Sequence, residues 1–179
     1  IGMVDERFGS NWSLVARDAF NGIMLWKRDI GNWTAQGKYW LQTSVTPNRR
    51  IVADTDRIYA ALGSGRPITV FDAASGRTLA TYKGVESARE LVCHNGILLV
   101  ATGKVRAARQ RGKATVSQGG VTAINTSTGK QLWRVEGKIR PLTLAARNDA
   151  VLFMDGAEVV CVDLKTGSGR WRAKSNPGS

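Results

Sequence analysis

At 179 residues, with 42% hydrophobic and 22% charged residues, the chain has the composition of a globular protein with a core of ordinary size, which argues against bulk disorder. Its 26 basic against 14 acidic side chains give a formal net charge of +12, which favours anionic partners and carries no information about fold. The longest aliphatic run, Ile97 to Ala101, is far too short to cross a bilayer, and Cys93 and Cys161 stand apart in apolar surroundings without a CxxC or Cys/His cluster, so a zinc or thioredoxin-like site has no support.

The chain opens on IGMVDE, without an initiator methionine, and reads as a piece cut from something longer. Ile1 to Asp5 and Trp12 to Asp18 read as strands, followed by a tight turn at Asp18 to Gly22 and a partner strand at Ile23 to Arg28. A long connection, residues 29–48, holds Trp33, Tyr39 and Trp40. From Arg49 the pattern becomes regular, as short apolar runs alternate with turn residues. Residues 49–82 form one unit of four strands, and 89–135 a second, interrupted by an insertion at 103–119. Residues 142–172 form a third and most compact unit, and 173–179 a tail. Asn95-Gly96 between apolar runs is a strong hairpin signal. No window carries apolar residues at helical spacing free of glycine and turn clusters. The expectation is an all-β chain of antiparallel four-stranded meanders, a unit that stacks radially in propellers.

One skeleton recurs in phase with these units. It is a small or aliphatic residue, any residue, Asp or Asn, three residues, Gly, three residues and Trp. The copies are Ala16-x-Asp18…Gly22…Trp26, Val70-x-Asp72…Gly76…Ala80, Ala123-x-Asn125…Gly129…Trp133 and Cys161-x-Asp163…Gly167…Trp171. An Asp or Asn oxygen can accept from the backbone two residues on, and Gly supplies the positive φ that closes the loop. Ala80 breaks the pattern, and Tyr82, two residues on and on the same side of a strand, is a candidate substitute.

Carried by INTSTGKQLW at Ile124 to Trp133, VDLKTGSGRW at Val162 to Trp171 and LVARDAFNGIMLWKR at Leu14 to Arg28, the chain resembles the PQQ-like (quinoprotein-alcohol-dehydrogenase-like, BamB-like) β-propeller repeat family. The resemblance implies blades in which the motif spans the two outer strands and its Trp docks against the next blade. Trp26, Trp133, Trp171 and Tyr82 are then blade-seam residues, and Asp18, Gly22, Asp72, Gly76, Asn125, Gly129, Asp163 and Gly167 motif-turn residues. About 3.5 to 4 blades are present, with 1–28 a partial first blade, whereas the family usually has eight, so the chain is expected to be part of a larger propeller. The one His and the absence of Trp-Asp pairs disfavour a WD-repeat protein.

In a four-stranded meander the turns between strands one and two and between three and four share one face. The connections 29–48 and 103–119 therefore lie on the opposite face, where interaction loops would vary. The insertion carries Lys104, Arg106, Arg109, Arg111 and Lys113 without one acidic residue. It reads as a surface for an anionic partner, nucleic acid included, or as a solvated flexible loop. No catalytic, cofactor or metal ligand set stands out, since most aspartates are turn residues and His94 lies in a His-Asn-Gly turn. The reading is a non-enzymatic scaffold that docks a protein partner or the remaining blades, in an extracytoplasmic setting suggested by the resemblance. The alternatives are part of a PQQ-dependent dehydrogenase, with PQQ and calcium as cofactors, or the propeller of a kinase or methyltransferase fusion. A binder of anionic polymers comes third.

Overall fold

The computed structural model describes residues 2–5, 12–31, 47–63, 65–103, 105–107, 114–116 and 118–175, and they are built from antiparallel sheets. The chain divides into two compact units, 1–86 and 87–179.

In the first unit, β1 (Gly2–Asp5), β2 (Trp12–Arg17) and β3 (Met24–Gly31) form a three-stranded sheet. After a single 3-10 turn at Pro47–Arg50 come β4 (Ile51–Asp54), β5 (Arg57–Ala60), β6 (Ile68–Asp72) and β7 (Thr78–Tyr82), a four-stranded meander. In the second unit, β8 (Ala88–His94) and β9 (Ile97–Thr102) lead into a two-stranded ladder of β10 (Val105–Ala107) and β11 (Ala114–Val116). The meander then resumes with β12 (Gly119–Asn125) and β13 (Gln131–Gly137). The last sheet is β14 (Ala145–Arg147), β15 (Ala150–Asp155), β16 (Glu158–Asp163) and β17 (Gly169–Lys174). The expected all-β meanders are thus the fold. The last unit starts later than Leu142 because that residue sits at φ 62°, in the left-handed region that interrupts an extended strand.

Burial is graded across each sheet. Every residue of β9 is buried, as expected of a strand covered on both faces, whereas β17 is exposed along its whole length. In the first unit Leu14, Ile58, Ala60 and Phe71 form the core, with Trp26 and Ile51 packed against them. In the second, Leu99, Val121, Ala123, Trp133, Val151 and Phe153 join in one larger cluster. Burying side chains of this size contributes about 1.5–3 kcal/mol each.

The two faces of a meander are visible in its turns. The motif turn hydrogen-bonds to the turn between the first two strands at one place in each four-stranded sheet. The donors are Ala73 N to Asp56 O (2.8 Å), Thr126 N to Gly96 O (3.0 Å) and Leu164 N to Asp149 O (2.8 Å). At the other end, Lys138 N of the β13–β14 connection donates to Asp155 Oδ1 at 2.7 Å, and Gly156 N to Lys138 O at 3.1 Å.

Candidate functional site

The motif turn forms because its Asp or Asn caps its own backbone. Asn125 Oδ1 accepts from Ser127 N (3.0 Å), Thr128 N (2.9 Å) and Thr128 Oγ1 (3.1 Å). Asp163 Oδ1 does the same for Lys165 N, Thr166 N and Thr166 Oγ1, and Asp18 Oδ1 for Phe20 N and Asn21 N. The glycine closing each loop donates to the carbonyl of that Asp or Asn at 2.8–3.0 Å and lies at φ 69–74° in all four copies. That conformation is why the position is glycine.

Beyond the turn, each outer strand carries a β-bulge at one place in the repeat. Ala16 faces Trp26, Val70 faces Ala80, Ala123 faces Trp133 and Cys161 faces Trp171, and the register shifts at the next residue in all four. The motif's small first position is therefore the cross-strand partner of its last. The bulge leaves the residue before the Trp position unpaired. Leu25, Leu79 and Leu132, which occupy that place, are exposed.

The bulge presents the indole to the next sheet. Trp26 Nε1 donates to Ala73 O at 2.9 Å, and Trp133 Nε1 to Leu164 O at 2.8 Å. Each acceptor is the residue after the motif Asp of the following copy. Each ring lies flat on that copy's glycine, so closely that a β-carbon on Gly76 would sit 2.6 Å from the Trp26 ring and one on Gly167 2.7 Å from the Trp133 ring. The motif glycine thus has two duties, positive φ and room for the neighbour's indole. Arg28 reinforces the first seam by donating to Gly76 O at 2.6 Å while standing over the Phe71 ring.

Trp171 is 48% exposed against 7% for Trp133, and no motif turn lies over it among the described residues. Tyr82 is buried, with its ring 6.2 Å from that of Tyr59 in its own sheet.

Several carboxylates among the described residues are engaged by structure. Arg170 grips Asp149 Oδ2 at 2.6 Å and Asp163 Oδ2 at 2.7 Å, and holds both carboxyls well below the usual range, chiefly through these hydrogen bonds. Arg172 reaches Asp155 and Glu158. Ser13 Oγ donates to Asp29 at 2.9 Å, and His94 Nε2 lies 3.0 Å from Asn148 O. Asp72 Oδ1 accepts from Ser75 N and Oγ, which lowers its pKa. Cys93 and Cys161 are not joined in a disulfide. Among the described residues, no group of three or more His, Cys, Asp or Glu side chains is placed to hold a metal ion, and no helix is long and apolar enough to cross a membrane.

The insertion that reads in sequence as a basic loop contains a β-ladder, in which Val105–Ala107 pairs with Ala114–Val116. Arg106 belongs to that ladder, while Lys104, Arg109, Arg111 and Lys113, like Trp33, Tyr39 and Trp40, lie outside the described residues. Sequence reasoning missed the bulge and the double duty of the glycine. The fixed four-residue spacing from Gly to Trp is the signal that carries both.

Residues 117–178 match the family model of the outer membrane protein assembly factor BamB, the repeats of PQQ-like propellers. No curated protein matches the chain. Among solved structures, a europium-containing methanol dehydrogenase is similar over 96% of this chain and 39% of its own, at 12% identity and TM-score 0.55. The quinohemoprotein alcohol dehydrogenase ADHIIG from Pseudomonas putida HK5 is similar over 72% of this chain and 20% of its own, at 18% identity and TM-score 0.51. The computationally designed Ika4 protein is similar over 69% of both chains, at 16% identity and TM-score 0.53. This chain therefore spans well under half the length of either dehydrogenase.

Proposed function

From the premise that this chain has the PQQ-like β-propeller fold, with the repeats of that family, we propose that it is a non-enzymatic binding scaffold for a protein partner. The observation that supports this reading most is the fate of its acids. The motif carboxylates and Asn125 cap their own turns, Asp149 and Asp163 are clamped by Arg170, and Asp155 serves Lys138 N. A carboxylate engaged in this way braces a loop. One oxygen of each motif carboxylate is committed to bracing its own loop. The match to an outer membrane assembly factor agrees with a partner-docking role and with a setting in the cell envelope. The surface for docking is the face opposite the motif turns, where the β13–β14 connection meets Asp155 and the β10–β11 ladder interrupts its meander.

The enzymatic reading rests on likeness of fold to two dehydrogenases, and fold alone does not carry an activity. Titration with pyrroloquinoline quinone and calcium, followed by absorbance and by reduction of an artificial dye with alcohols present, separates the two. The scaffold reading expects no saturable chromophore and no dye reduction. Saturable binding with turnover overturns it. Anionic polymers form a third arm. If the ladder and its flanks recruit them, changing Lys104, Arg106, Arg109, Arg111 and Lys113 together to Ser lowers affinity and flattens its salt dependence.

A further inference from the structure

Residues 87–179 hold 15 Lys and Arg side chains against six Asp and Glu, and all six acids lie among the described residues. Each of those acids is already engaged. Glu136 pairs with Arg134, Asp149 and Asp163 with Arg170, and Asp155 and Glu158 with Arg172, while buried Glu90 accepts from Leu144 N at 3.3 Å. The second unit therefore holds a surplus of cations that its own carboxylates do not meet. One of them is set into the sheet. Arg89 is the extra residue of a β-bulge in β8, where the register shifts between Ala88 and Glu90. Its Nε donates to Gly103 O, while Nη1 is closed off from solvent and meets no acceptor among the described residues.

Burial pushes the pKa of the Arg89 guanidinium down, the mark of a cation drawn out of water without a counter-charge. A buried donor on a cation is costly to leave unmet, and an anionic acceptor relieves both costs at once. The side chain is recessed but not sealed, since Arg89 is intermediate in burial. Gly103 follows the end of β9 that lies away from the Gly96 turn, so Arg89 stands at the end of its sheet opposite the motif turns. The register Gly120↔Thr102 and Gly119↔Gly137 brings Lys138 to that same end. Lys138 and Arg140 are exposed there and pair with no acid among the described residues, the Arg140 guanidinium having only Met154 Sδ at 4.0 Å. Because the strand order is β13-β12-β9-β8, the cations at its two edges stand about 15 Å apart by strand spacing, the reach of an extended segment of about five residues.

We propose that this end of the second unit docks an extended acidic segment of a protein partner, one carboxylate entering beside Arg89 to complete its guanidinium and a second, about four residues along, meeting Lys138 and Arg140. The inference rests on the partner-docking reading above and adds the partner's chemistry. A carboxylate is planar and sits at the tip of a slender side chain, so it matches the guanidinium fork and can enter a recess. A phosphodiester is flanked by sugars on both sides and suits a continuous exposed basic stripe instead. Charge drives the contact, so salt weakens it.

The test is calorimetric titration of the 179-residue chain with hexaglutamate at low and moderate salt, beside hexaserine and a six-nucleotide thymidine strand. Hexaglutamate is expected to bind saturably, more weakly at the higher salt, and hexaserine not at all. Arg89→Met is expected to lower the affinity on the order of tenfold, and Lys138→Gln with Arg140→Gln by about threefold. Lys165→Gln, exposed on a motif turn, leaves it unchanged. Far-ultraviolet circular dichroism keeps loss of folding apart from loss of binding. If Arg89→Met unfolds, Arg89→Lys keeps the charge without the planar fork and is expected to lose affinity severalfold. The proposal is overturned by a parent that does not bind hexaglutamate or binds hexaserine equally, by binding indifferent to the folded Arg89 variant, or by tighter binding of the thymidine strand. Dye reduction with quinone and calcium, measured on the same preparation, reports on the scaffold reading alone, so either reading can fail without the other.

Discussion

Trp133 and Trp171 occupy the same place in the same repeat, behind the same bulge and across from a small residue, yet one is 7% exposed and the other 48%. The difference lies in what covers each ring among the described residues. Trp133 has the Asp163–Gly167 turn over it, with Leu164 O to accept its N–H; Trp171 has no such turn among the described residues. The repeat therefore encodes two half-sites, a key on its outer strand and a seat in its turn, and burial is created only when the key of one copy meets the seat of the next. A motif residue is not a core residue by virtue of its own sequence.

The most disruptive way to probe this comparison is to remove a seated key. Trp133→Ala is expected to cost about 3–5 kcal/mol in urea unfolding, the range for truncating a buried aromatic and leaving a cavity. Trp26→Ala should cost less, about 2–3 kcal/mol, because Trp26 is only partly buried and Arg28 remains to bond Gly76 O. The Arg170 clamp comes next. Asp149 and Asp163 have folded pKa values below their unfolded ones, so the stabilisation they supply is present above the unfolded carboxylate pKa near ~4 and is lost as pH falls through the depressed folded values. Urea unfolding midpoints of the parent and Arg170→Met should then converge as pH drops below that point, with a modest gap at neutral pH since the pair is solvent-exposed. An equal pH dependence in the two proteins would remove the clamp from the account. The smallest effect is expected at the open key. Trp171→Ala in this 179-residue chain should shift stability by no more than about 0.5 kcal/mol, as for other half-exposed side chains without a covering neighbour.

Much of this architecture is legible in the sequence. The Asp/Asn-to-Gly and Gly-to-Trp spacings point to all-β meanders, because a turn capped by its own side chain and closed by glycine is a local structure that few other patterns produce. What is not legible is anything decided by a neighbour distant in the chain. Whether Trp171 is covered depends on a turn beyond its own sheet. That Gly76 and Gly167 must lack a side chain for the sake of an indole in the preceding sheet is hidden behind their equally good local reason, positive φ. Tyr82 reads as a replacement for the missing Trp at position 80 by strand alternation, while its contact with the Tyr59 ring, two strands away in its own sheet, has no local signal. The β10–β11 ladder escaped because basic residues crowd the segment and alternation is weak there, while pairing needs only backbone groups. The acids are the clearest functional lesson. Asp18, Asp72 and Asp163 look like turn caps in the sequence and are caps in the structure.

The double duty of the glycine offers the most direct test of the key-and-seat account. Gly22 and Gly167 share the same backbone conformation, with φ 74° and 72°, but among the described residues an indole lies only on Gly167 of the two. Gly22→Ala meets the cost of positive φ alone, about 1 kcal/mol, whereas Gly167→Ala adds a clash worth about 1–3 kcal/mol. In a Trp133→Ala background the clash is gone. Urea unfolding of Gly167→Ala with and without Trp133→Ala should therefore show the glycine change becoming cheaper once the indole is removed, falling to the cost seen at Gly22. An unchanged cost in the two backgrounds would mean that the indole does not lie on the glycine, and would contradict the account.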